Sequence, residues 1–284
     1  MLQDLQIRKI NGLIGAEITN VDLSRDLDEE TFAAIRKALA EHVAVCFPDQ
    51  PWSPGQMVEF VGRFGPTLVH PYLKSLDGHP AIHQLLKEPE DSLNFGNDWH
   101  SDFSNLELPG AFNALYAVEV PEFGGETVIC NTAAAYEALS DGMKSLLDGR
   151  QAWHGFSSHY VDSYAEIKDQ TSDKLIEPEE LAVDGDPVRH PVVRSHPENG
   201  RKSLYVNPFF TLRLDDMTEA ESAPLLGYLY QHCIRPEFCL RIKWRKDMLA
   251  IWDNRQSMHY AVNDYHGQRR LMNRVLVMET SRPV

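Results

Sequence analysis

Residues 97–104 read NDWHSDFS, and one pair within them, His100 and Asp102, decides how the rest of the chain is read. Residues two apart on a β-strand face the same side. His-x-Asp on a strand therefore presents an imidazole and a carboxylate together, close enough to chelate one ion. The pattern is common by chance, and a surface turn accommodates it equally well. A second histidine would complete the two-histidine, one-carboxylate face of non-haem Fe(II) oxygenases, which leaves the opposite metal positions open. The chain has 12 histidines, so context has to select one. In AIWDNRQSMHYAVNDYHGQRR, residues 250–270, His259 follows a strand-like apolar run and precedes an arginine cluster.

An oxygenase of this kind also holds a co-substrate. A 2-oxo acid chelates the metal through one end and needs a cation at its far carboxylate. Arginine suits this role, because its guanidinium forms two parallel hydrogen bonds and stays charged when buried. Arg270 and Arg274 follow His259, and with Met272 they would share one strand face, placing two cations at one pocket.

Composition supports a soluble globular protein. The chain has 284 residues, 43% hydrophobic and 24% charged. Its net charge of -15 argues against nucleic acid or an anionic membrane surface as the main partner. A small anionic ligand is still allowed, since a few buried arginines reverse the field locally. The four cysteines form no C-x-x-C pair and suggest no disulfide framework, so a reducing, cytoplasmic setting is expected. No signal peptide or membrane-spanning run is read.

Along the chain, DEETFAAIRKALAEHVAVCF predicts a helix running into a strand, and SPGQMVEFVGRFG a short helix ending at Gly65. Residues 71–96 and 157–188 read as long loops, and both are candidate lids. Strand-like runs occupy 111–120 and 126–130. Two short helices follow, capped by Asn131 or Thr132 and by Ser140. TEAESAPLLGYLYQHCI predicts an amphipathic helix with Thr218 and Glu221 at capping-box spacing. CLRIKWR, MLAIWDN and MNRVLVMET close the chain as strands. Many short strands with few helices imply a mainly β fold, a sandwich or jelly roll with helical decoration, and residues 1–284 read as one domain.

WHSD, GGETVICNTAAAYEALS (124–140), HPVVRSHPENGRKSLYVNPFFTLRL (190–214), IWDNRQSMHYAVNDY and QRRLMNRV stand in one order, with FGPTLVHP before them. Together they resemble the taurine dioxygenase (TauD/TfdA-like) family of Fe(II)/2-oxoglutarate oxygenases over nearly the whole chain. The resemblance implies a distorted double-stranded β-helix. It implies that His100, Asp102 and His259 bind Fe(II), and that Arg270, helped by the Thr127 hydroxyl, holds the far carboxylate of 2-oxoglutarate, with O2 as the second co-substrate. It places Arg274 and His70 at an anionic group of the primary substrate, with Phe210 as an aromatic wall.

Two positions depart from the family pattern. Gly96 stands where taurine-specific members carry asparagine, with Asn97 one position later. Leu73 stands where they carry tyrosine, with Tyr72 adjacent. The expectation is a dioxygenase hydroxylating a small anionic substrate, a sulfonate, sulfate ester or carboxylate, but not taurine-specific. Desaturation, cyclisation or another biosynthetic oxidation is the alternative on the same centre. A non-catalytic jelly roll that binds metal or anion is the alternative from another class, and such a module needs no Arg270–Thr127 clamp. A homo-oligomer, dimer or tetramer, is expected. Trp99 and Trp252 read as core anchors, Asp253 and Asn254 as a structural turn or support for the metal ligands, and Arg255 and Arg269 as surface or ion-pair residues.

Overall fold

A computed structural model describes residues 5–71, 73–156, 162, 166 and 186–284. Tyr72 and most of the expected lid at 157–188 lie outside the described residues.

The first helix, α1 (Glu29–His42), begins where Asp28 accepts the Thr31 N–H, and Glu29 and Glu30 add negative charge to its first turn. Helix α2 (Pro54–Gly62) starts at a full capping box between Ser53 and Gln56. Both helices cover one face of an eight-stranded sheet. Its strands, in spatial order, are β1 (Gln6–Lys9), β2 (Ala16–Thr19), β3 (Ala44–Phe47), β14 (Leu249–Asp253), β6 (Gly110–Glu119), β16 (Arg270–Met278), β5 (His79–Lys87) and β4 (Ser75–Leu76).

Strand β3 shows how the two-residue period divides the core. Val45 and Phe47 join Phe32, Ile35, Leu39 and Phe60 beneath the helices. Ala44 and Cys46 face the other way, into an interior shared with Trp252, Leu115, Met272, Ile129, Leu240 and Ile242. Ile129, Leu240 and Ile242 come from a smaller sheet, β13 (Cys239–Ile242), β7 (Thr127–Asn131) and β15 (Ser257–Ala261). Two facing sheets with helices outside give the jelly-roll architecture. Fully burying a side chain the size of Phe47 contributes about 1.5–3 kcal/mol, so this division fixes the register of β3.

A third apolar cluster lies under α5 (Glu219–Cys233), which Thr218 and Glu221 cap reciprocally. It also draws on α3 (Thr132–Glu137) and α4 (Asp141–Leu147), capped by Asn131 and Ser140. The remaining small sheets are β12 (Thr211–Leu214), β8 (Gln151–His154) and β9 (Val188–Pro191), and the pair β10 (Val193–Ser195) and β11 (Lys202–Leu204).

The structure corrects the sequence in one stretch. Residues 71–96 do not form a loop: β4 and β5 lie within them, and β5 pairs with β16. The strand escaped recognition because HPAIHQLLK lacks clean alternation. It buries His83 and Lys87 among its apolar residues, so polar positions do not mark an outer face.

Candidate active site

Three elements deliver the candidate metal ligands. His100 and His259 face each other across a single β-bridge, with His100 N–H donating to the His259 carbonyl (3.1 Å) and His259 N–H to the His100 carbonyl (2.8 Å). Their rings are thereby held 4.1 Å apart. Trp252 of β14 packs its indole against His259 at 4.8 Å. Asp102 does not continue a strand from His100, as the spacing had suggested. It sits in a turn whose next residue, Phe103, takes a positive φ of 53°. The Gly110 N–H donates to the Asp102 carbonyl (3.1 Å), and a Cβ at Gly110 would stand 2.9 Å from that oxygen. Glycine at 110 is what lets the turn close against β6.

One potential ligand atom from each of His100, Asp102 and His259 lies within 4.8 Å of the other two, and all three residues are buried. His100 Nε2 is 3.7 Å from Asp102 Oδ1, and His259 Nε2 is 3.7 Å from Asp102 Oδ2. His100 Nδ1 donates to the Asp98 carbonyl (2.7 Å), which leaves Nε2 as the lone-pair atom. Asp102 Oδ2 accepts from Asn113 (2.6 Å) and more loosely from Asn254 (3.3 Å). Burial opposes a charge on Asp102. His259, Arg274, His100 and the Asn113 hydrogen bond outweigh it and hold the carboxyl well below its usual range. Burial and neighbouring His100 push His259 down to about 3, so it stays a neutral ligand. A buried carboxylate with two imidazoles is the donor chemistry a divalent transition metal takes.

The cluster opens into a cavity of about 490 Å³ that Asn97, Thr127, His70, Phe210, Arg270 and Arg274 also line. Every described residue expected at the site is therefore brought to one cavity. Arg270 and Arg274 enter from β16, one strand face, as their spacing implied. Gly125, at φ 66°, leaves room for Arg270: a Cβ there would meet the Arg270 side chain at 3.2 Å. Trp244 Nε1 donates to the Thr127 hydroxyl oxygen (3.1 Å) and so orients it.

Arg270 Nε and one terminal nitrogen, and Arg274 Nε, are buried with no hydrogen-bond partner among the described residues. Burial lowers the pKa of both arginines, with Tyr265 partly compensating Arg270 and Asp102 partly compensating Arg274. Arg274 reaches Asp102 Oδ1 only at 3.5 Å. Buried cations left this way fit anionic ligands.

Other readings resolve locally. Trp252 is a core residue that also lines the cavity, and half-buried Trp99 packs beside Tyr260. Asp253 caps the turn that carries Asn254. Arg255 is buried and paired with Asp253 and Glu198, and Arg269 pairs with Glu88 and Glu119 at the rim of the sheet. Asn113 and His83 went unread in the sequence. The available signal for Asn113 was a lone amide inside the apolar run GAFNALYAVE.

The family model for the taurine catabolism dioxygenase TauD, TfdA family matches residues 6–276. The chain belongs to this family. It is thus a 2-oxoglutarate-dependent dioxygenase, an oxidoreductase on a jelly-roll scaffold. Among TauD/TfdA relatives it is 34% identical to an alkylsulfatase of Acinetobacter baylyi, over 96% of this chain and 84% of that protein. It is also 34% identical to an alpha-ketoglutarate-dependent sulfate ester dioxygenase of Pseudomonas putida, over 96% of this chain and 89% of that one. A crystal structure of a taurine dioxygenase from Burkholderia xenovorans superposes with a TM-score of 0.82 at 32% identity, covering 99% of this chain and 92% of the other. Among the described residues, no helix is long and apolar enough to cross a membrane.

Proposed function

We propose that this enzyme oxidises an alkyl sulfate or alkylsulfonate with an apolar tail, using Fe(II), O2 and 2-oxoglutarate. The observation that carries the reading is an anion site built into a cavity whose lining is mostly apolar. Arg274 and His70 are its polar end, and Leu68, Leu73, Leu85, Phe95, Phe209 and Phe210 line much of the rest. Two of the relatives named above are, by their names, an alkylsulfatase and a sulfate ester dioxygenase.

The residues divide the work. His100, Asp102 and His259 would hold Fe(II), which supplies the oxidising chemistry when 2-oxoglutarate and O2 are bound. Arg270 and Thr127 would take the far carboxylate of 2-oxoglutarate. Asn113 and Asn254 fix Asp102 through Oδ2. Arg274 and His70 would bind the sulfate and leave the carbon next to the ester oxygen turned toward the metal. Hydroxylation of that carbon, with 2-oxoglutarate converted to succinate and carbon dioxide, gives a product that collapses to an aldehyde and sulfate. The equivalent sulfonate yields an aldehyde and sulfite.

Position 96 supports the preference for an apolar tail. Gly96 has φ 78°, and a Cβ there would lie 3.3 Å from His100 Cε1, so the space beside the ligand stays open and carries no amide. Buried Leu73 contributes no hydroxyl. Four free cysteines suit a reducing cytoplasm, and the exposed apolar side chains Ile7, Ile10 and Leu13 suit a homo-oligomer.

A side-by-side panel of hexyl sulfate, hexanesulfonate, taurine, an aryloxy acid and an amino acid, scored by succinate formed, tests the reading. The six-carbon sulfate or sulfonate should exceed taurine by at least about tenfold in kcat/KM, since each buried methylene is worth about 0.8 kcal/mol. Taurine as the best substrate would overturn it.

A further inference from the structure

The anion site has a deeper layer in β5. His70 lines the cavity, and two contacts fix its state. The Leu73 N–H donates to His70 Nδ1 (3.2 Å), and the His70 N–H donates to His83 Nε2 (2.8 Å). His83 is fully buried on β5, directly opposite Arg274 of β16. Its ring stands edge-on to His70 at 5.3 Å, and Phe103 flanks His70 on another side at 5.2 Å.

These bonds determine where the hydrogens are. A neutral imidazole has one N–H and one lone pair. With Nδ1 accepting from Leu73, neutral His70 carries its hydrogen on Nε2. With Nε2 accepting from His70, His83 carries its hydrogen on Nδ1. We propose that His83 is a positioning residue for substrate recognition: by accepting the His70 N–H it fixes the segment that holds His70 in the Nε2–H tautomer, a neutral donor for one sulfate oxygen beside the cation of Arg274.

The electrostatics agree with the geometry. Burial, then Arg274, then His83 push His70 down to about 2, with Asp102 opposing. Burial and Arg274 push His83 down to about 3. Burial first, and the neighbouring charge of Arg274 second, keep both rings neutral. A neutral donor beside one cation suits a singly charged sulfate monoester. A lone pair at the same position would repel it. His83 lies 13 residues from His70, and no spacing in the sequence links the two.

This inference rests on the reading of Arg274 and His70 as the anion site, and its test separates the two. The variants are His83→Leu, which removes the acceptor, and His83→Gln, whose side-chain oxygen can replace Nε2. Both are compared with Arg274→Ala on the Fe(II)-loaded enzyme with hexyl sulfate. His83→Leu should raise KM about tenfold, the effect of one lost buried hydrogen bond, with kcat and 2-oxoglutarate affinity nearly unchanged. His83→Gln should recover most of that loss. In histidine-15N NMR spectra of the Zn(II)-loaded protein, His70 should appear as the Nε2–H tautomer. An unchanged KM in His83→Leu, an equal loss in His83→Gln, or a His70 signal with the proton on Nδ1 would overturn the role of His83. The NMR result stands even if His83→Leu does not fold. Arg274→Ala without effect on KM would instead overturn the anion site itself.

Discussion

Two pairs of buried arginines lie among the described residues, and they are treated in opposite ways. Arg194 donates through both terminal nitrogens to Glu279 (2.7 and 2.8 Å), and Arg255 grips Asp253 (2.8 and 2.7 Å) while also reaching Glu198 (2.7 Å). Burial disfavours their charge, but these carboxylates more than offset it and raise both arginines. Arg270 and Arg274 are also buried, yet among the described residues no carboxylate pairs with Arg270, and Arg274 meets a carboxylate at Asp102 only at 3.5 Å. Burial wins there and lowers both. The first pair is structural. The second borders the cavity, and on the proposed reading it is held ready for anions that arrive from outside.

The largest effect expected from breaking this contrast is at the proposed metal site, which Arg274 adjoins through Asp102. Under anaerobic conditions, Fe(II) and 2-oxoglutarate should give a weak visible charge-transfer band. Asp102→Ala and His259→Ala should each abolish it. A band that persists in both variants would remove the ligand assignment, and with it the reason for two cations without close carboxylate partners at this place.

Stability sharpens the contrast next. Arg194→Ala leaves Glu279 buried and unpaired, and breaking such a pair typically costs about 3–5 kcal/mol. Arg270→Ala strands no carboxylate. Without ligand, its unfolding free energy should fall by less than about 1 kcal/mol, or rise, because a desolvated cation has been removed. Urea denaturation of the two variants decides this. Equal losses would mean that Arg270 is a structural residue like Arg194.

Much of the site was legible because its chemistry sits on a regular strand. Arg270 and Arg274 share a face of β16 by the two-residue period alone. His100 and Asp102 were legible as a chemical pair, but their geometry was not. A turn at Phe103 and the close approach of Gly110 bring Asp102 round, and no strand periodicity encodes that. Asn254 was read as turn or ligand support, but Asn113 and His83 were invisible for a different reason. Each acts through a contact whose partner is set by strand order: Asn113 on β6 lies opposite Trp252, and His83 on β5 opposite Arg274. Strand β5 was itself read as loop because its buried positions include the polar residues His83 and Lys87. The jelly roll was easier to read, since caps at Asp28, Ser53 and Thr218 and apolar alternation in β3 are local signals.

The division of labour between the two cavity arginines is tested most directly by anaerobic calorimetric titration of 2-oxoglutarate into the Fe(II) forms of Arg270→Ala and Arg274→Ala. Truncating one partner of a buried charge pair costs about 2–5 kcal/mol, so Arg270→Ala should weaken binding by roughly 30-fold or more. Arg274→Ala should stay within about threefold of the unmodified protein. Equal weakening in the two variants, or none in Arg270→Ala, would contradict the assignment of Arg270 to the co-substrate and Arg274 to the substrate.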